Sequence, residues 1–117
     1  MGRRPEITPE QLSACRPEQA VGSETVDDLV VLLRPRFMSG PLAWWLQPRL
    51  ARPYFRVRLD AVGSFIWRRC DGRTTVGEIA AGLQERFGDE VAPAMDRLRL
   101  FLRQLQDGKM ITVQPPG

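Results

Sequence analysis

Residues 54–83, YFRVRLDAVGSFIWRRCDGRTTVGEIAAGL, contain the change of residue period on which the fold turns. In Tyr54 to Leu59 the apolar side chains of Phe55, Val57 and Leu59 alternate with Tyr54, Arg56 and Arg58, the pattern of a strand with one buried face. Asp60 breaks that alternation. Its carboxylate can accept from the free N–H groups of a following turn, so it reads as the N-cap of a helix carrying Val62, Phe65, Ile66 and Cys70 on one side. Asp71-Gly72 suits a left-handed exit from that helix. Thr75 and Glu78, three apart, then form a capping box at the head of a second helix.

Working back from Tyr54, Thr8-Pro9-Glu10-Gln11 places a capping residue before a proline tolerated at a first helical position, so a short helix to about Ala14 is expected. The pattern from Gln19 to Thr25 is weak. Asp27-Asp28 makes a turn, and Leu29 to Leu33 is an unbroken apolar run, so a hairpin is expected whose second strand continues to about Arg36. Between the hairpin and Tyr54, Leu42, Trp45, Leu46 and Leu50 fall at helical spacing, with Ser39 as a cap and Pro48 as a stop. A short helical insertion is the reading. Trp44 and Trp45 cannot both face inward on a helix, so one indole is expected to be at least partly exposed; cover of the core edge by one of them is favoured over an aromatic binding platform.

Working forward from Leu83, the second helix ends at Phe87-Gly88. A third runs from about Ala92 to Asp107, with Val91, Ala94, Met95, Leu98, Phe101, Leu102 and Leu105 on one face. Leu100 points roughly opposite Leu98, since two residues turn a helix by ~200°. Asp107-Gly108-Lys109 ends the helix, and Met110 to Val113 return as a short wing strand, followed by a loose tail at Gln114 to Gly117. The pattern is α+β: a small three-stranded antiparallel sheet followed by a three-helix bundle, winged-helix-like, with a short helical insertion before the third strand. Residues 1–18 form a partly flexible N-terminal extension, 19–113 the domain and 114–117 a flexible tail.

The 117 residues allow one modest core and not two. No apolar run approaches the ~20 residues of a membrane helix, and MGRRPEITPEQ has no apolar run after its arginines. No membrane association and a cytoplasmic location are therefore expected. Two cysteines are too few for a disulfide scaffold: Cys70 reads as a buried apolar residue and Cys15 as incidental. The sequence contains no histidine, which removes the commonest general base and metal ligand. The basic excess lies in residues 29–60, with six arginines against Asp60 alone. A solvated strand face explains it, and an acidic partner is the sharper reading.

Arg58-Leu59-Asp60, Gly63-Ser64-Phe65-Ile66-Trp67, Cys70-Asp71-Gly72, Thr74 to Ile79, and Arg97-Leu98 through Phe101-Leu102 to Leu105, in this order behind the hairpin, resemble the coenzyme PQQ synthesis protein D (PqqD) family. Val30 to Phe37 also fits one branch of it. The resemblance spans roughly residues 19–113 and implies a three-stranded sheet followed by three helices. It further implies a non-catalytic recognition element, without cofactor or metal, that holds the leader of a ribosomally made precursor peptide and presents it to a modifying enzyme, often of the radical-SAM type. The leader of such peptides adds as a strand at the third strand and lies beside the third helix. Carried over, the peptide-binding residues are Tyr54, Arg56, Arg58, Arg97, Leu100 and Gln104. The insertion at Met38 to Pro53 and the N-terminal extension depart from the family's simplest members, so a peptide other than the PQQ precursor stands beside it as a candidate.

The alternative reading is a winged-helix DNA-binding protein, which a pI near 9.5 permits. Its recognition helix would need several basic or amide groups, and Thr74 to Phe87 offers Gln84 and Arg86 against Glu78 and Glu85. Nucleic acid is therefore not the expected partner. An unpaired edge strand can also join two copies, which leaves homodimerisation open.

Overall fold

The structure, a computed structural model, describes residues 9–35 and 54–115, with side chains described for 11–34 and 55–115. The elements are α1 (Pro9–Ala14), β1 (Arg16–Gln19), β2 (Gly22–Val26), β3 (Leu29–Pro35), β4 (Tyr54–Arg58), α2 (Ala61–Arg68), α3 (Val76–Phe87), a 3-10 turn (Gly88–Val91), α4 (Ala94–Asp107) and β5 (Ile111–Gln114). The expected insertion helix and its Trp44 and Trp45 lie outside the described residues.

The main sheet is antiparallel in the order β2-β3-β4. Asp27 and Asp28 both take positive φ, 53° and 65°, as a two-residue type I′ hairpin turn requires. Val30 and Leu32 on one face of β3 are buried at 3% and 0% exposure and meet the helices. The core continues through Ile66 and Trp67 of α2, Val76, Ile79 and Leu83 of α3, and Leu98, Leu102 and Leu105 of α4. The face counted from the sequence for the third helix is the buried one, and Leu100 is 60% exposed, as its phase requires.

The caps form as the residue types dictate. Asp60 accepts from the Gly63 N–H at 2.7 Å, and Thr75 and Glu78 form the reciprocal capping box. Gly88, at φ 58°, caps the end of α3. Gly72 is left-handed, φ 77°, but it is not the helix exit: α2 closes earlier, on Arg69. Gly72 sits instead in a turn held by Asp71, whose Oδ1 accepts from the N–H groups of Arg73 and Thr74 at 2.9 and 2.8 Å. The third helix starts at Ala94 rather than Ala92, because the 3-10 turn and Pro93 occupy the approach.

The N-terminal segment departs most from the sequence reading. Residues 16–19 form a strand, β1, paired antiparallel with β5, so the returning C-terminal strand joins β1 and not the main sheet. A bridge from Glu18 to Asp71 and a bond from the Gln19 N–H to the Cys70 carbonyl fasten β1 to the turn after α2. Helix α1 packs on α3 at Gly77, where an added Cβ would come 3.2 Å from the Ser13 carbonyl oxygen. Cys15, read as incidental, is a core residue at 1% exposure, and its thiol donates to the Gln11 carbonyl. Gln114, read as loose, lies in β5 and donates to Glu18.

Candidate functional site

Strand β4 leaves the sheet at a defined point. The Leu59 N–H donates to the Val30 carbonyl at 2.9 Å. In a regular pair the Val30 N–H would bond back to Leu59; here it donates to the buried hydroxyl of Ser64 at 2.8 Å. The first turn of α2 thus replaces the end of the strand.

That pairing fixes which backbone groups face outward. Along a strand the N–H and C=O of successive residues point to opposite sides, so Leu59, Val57 and Phe55 turn theirs to β3 while Arg58 and Arg56 turn theirs away. The strand order β2-β3-β4 leaves that side without a neighbour among the described residues. The edge therefore offers the main-chain groups of the two arginines that the sequence singles out.

Their side chains lie on the sheet face away from the helices. Arg56 stands opposite Leu33 and Arg58 opposite Val31, and Glu24 on β2 is opposite Val31 in turn. Arg56 reaches diagonally over β3 to an ion pair with Glu24, both side chains about half exposed. Arg58 is exposed and its side chain has no ion pair or hydrogen bond among the described residues. Tyr54 occupies the register position opposite Pro35.

The other residues singled out for the site lie on α4. Arg97, Leu100 and Gln104 share one exposed flank of the helix. Next to that flank in the helix phase is Phe101, whose ring lies over Gly63: an added Cβ there would meet its Cζ at 3.2 Å and Leu59 Cβ at 3.3 Å. At the other end, Arg34 Nε donates to the Gly108 carbonyl at 3.1 Å, and Arg34 is opposite Phe55 on β4. Phe101 of α4 thus lies near the Leu59 end of β4, and the end of α4 lies near Arg34 of β3. Hydrogen bonds and ion pairs between the two sets are absent among the described residues.

Phe55 corrects the sequence reading. Alternation places it with Val57 and Leu59 on the buried face, and Leu59 is 7% exposed, but Phe55 is 44% exposed. It lies on the helix-facing side of the strand, level with the last turn of α4, where helix cover ends. Alternation alone could not reveal this, since it gives the face of a residue and not how far along the strand the helices reach. Glu24 was missed because the strand that carries it shows little pattern.

The titratable groups here are structural. Hydrogen bonds from the Thr75 backbone N–H and hydroxyl hold Glu78 below the usual carboxylate range, and those from the Thr74 and Arg73 N–H groups do the same for Asp71. Burial, with the Asp71 carboxylate adding to it, pushes the Cys70 thiol up to about 12. Among the described residues no group of three or more His, Cys, Asp or Glu side chains could hold a metal ion, and no helix is long and apolar enough to cross a membrane.

Searches among curated proteins and among solved structures return no match to the chain. A family model does match, and it covers β4 through the start of β5, which are the strand edge, the three helices and the caps described above. Residues 55–111 match the model of the family described as Coenzyme PQQ synthesis protein D (PqqD).

Proposed function

We propose that the chain is a non-catalytic, cytoplasmic recognition element that holds the leader of a ribosomally made precursor peptide and presents it to a modifying enzyme of the radical-SAM type. The product is PQQ or a related peptide-derived compound. The observation that carries this is the edge of β4, open among the described residues, with the outward main-chain groups of Arg56 and Arg58. An extended peptide added there gains main-chain hydrogen bonds from the edge and selection from side-chain contacts. Tyr54, Arg56, Arg58, Arg97, Leu100 and Gln104 are the proposed contacts. The helices with the β1–β5 pair are read as a winged-helix-like body whose wing is that pair.

Support also comes from the carboxylates, since Asp60, Asp71 and Glu78 are each engaged in a cap or turn. Helix α3 ends in Arg86 but also exposes Glu78 and Glu85, which supports a peptide over duplex DNA as the ligand.

The test is isothermal calorimetry of the full chain with synthetic leaders of precursor peptides encoded beside its gene. Micromolar or tighter binding is expected, with Leu100→Asp weakening it by about tenfold or more, roughly 1.4 kcal/mol. No heat of binding with any such leader overturns the proposal. Pairing of two copies through β4 is a separate outcome, visible as a dimer in analytical ultracentrifugation.

A further inference from the structure

The two arginines whose backbone faces the open edge differ in charge state toward a ligand. Arg56 is bonded across the sheet to Glu24, so that pair presents no net charge. Arg58, two residues along on the same face, is exposed and unpaired among the described residues. On the opposite, helix-facing side of the strand stand Phe55 and Val57, Phe55 44% exposed and Val57 packed against the core.

A strand added to β4 turns alternate side chains to these two sides. Those on the helix side meet Phe55 and Val57, which favours apolar residues. Those on the other side meet Arg58 and the neutralised Arg56–Glu24 pair, so only one position on that side meets an uncompensated positive charge. Opposite charges directly across a strand pair attract and like charges repel.

Resting on the peptide-binding reading above, we infer that Arg58 is the specificity residue of this edge. It selects an extended segment with apolar residues at alternate positions and one acidic residue between them, opposite Arg58. Glu24 restricts the acidic preference to that single position by occupying Arg56.

The test is selection of a phage-displayed library of random dodecapeptides on the immobilised full chain. Wild type should enrich peptides with alternating apolar residues and one interposed Asp or Glu. Arg58→Glu, which breaks no bond among the described residues, should keep the apolar alternation and lose the acidic residue. A representative wild-type peptide should bind this variant about fivefold to tenfold more weakly by fluorescence anisotropy. Glu24→Gln should add a second acidic preference two residues from the first. Circular dichroism melting verifies that both variants fold. An acidic preference that survives Arg58→Glu, or alternation in wild type with no acidic residue, overturns the assignment to Arg58. An unchanged pattern in Glu24→Gln overturns the role of Glu24. Absence of any enriched peptide in wild type overturns the peptide-binding reading itself.

Discussion

Ser64 is a small polar side chain at 1% exposure whose hydroxyl accepts the Val30 amide proton. Removing it leaves a buried donor without a partner, which costs about 1–3 kcal/mol. Ser64→Ala should therefore lower the urea midpoint without changing the slope. Cys70 gives a second prediction. Its thiol sits at about 12 in the fold against an ordinary 9.0, so the folded state keeps a proton that the unfolded chain gives up. The stabilisation is complete below the unfolded value and is lost as pH rises from about 9 toward 12. Stability measured in urea at successive pH values should fall through that window, and less so in Cys70→Ala. Iodoacetamide at pH 8 should leave Cys70 unmodified until the protein unfolds. At this scale the legible residues were those acting on near neighbours. Asp60 and the Thr75/Glu78 box carry their partners three positions away, and the sequence displays both. Ser64 and Val30, or Arg56 and Glu24, meet only after the strands have paired, and residue types alone do not point one to the other.

For single elements, the cap of α3 is directly testable. Thr75→Ala should cost about 0.5–2 kcal/mol in chemical unfolding. Because Glu78 is held below its usual range by Thr75, its contribution is present above the unfolded value and lost as pH falls through the folded one. The difference between wild type and Glu78→Gln should accordingly shrink in acid. Strand β4 allows a sharper contrast. Proline at 56 removes an N–H from the open side and should leave a folded protein that fails to bind leader peptide. Proline at 57, whose N–H faces β3, should unfold the sheet. Two-dimensional NMR separates the outcomes. Strong periodicity made α3 and α4 readable, and alternation made β4 readable. It gave no warning of β1, since Arg16-Pro17-Glu18-Gln19 has neither alternation nor β-branched residues and becomes a strand only because β5 and the Asp71 turn flank it.

For the whole molecule, the same β1 determines where the cooperative unit begins. Cys15 and Pro17 are buried against the turn after α2, and α1 covers Gly77. A chain shortened to residues 19–117 should lose its sharp thermal transition, as seen by circular dichroism, even though the matched stretch 55–111 is intact. The general α+β plan, a three-stranded sheet and then three helices, was legible because each element bears its own pattern. The pairing of the two chain-end strands was not, because it depends on which edges remain once the core has closed. The Ser64 hydroxyl then has a consequence beyond stability. A slide of β4 by two residues would bring a strand carbonyl to the Val30 amide and expel Ser64; a slide by one would turn every side chain to the wrong face. By holding the strand at one setting, the hydroxyl serves as the zero mark of a ruler, from which any segment laid along the edge counts its own positions to the charge at Arg58.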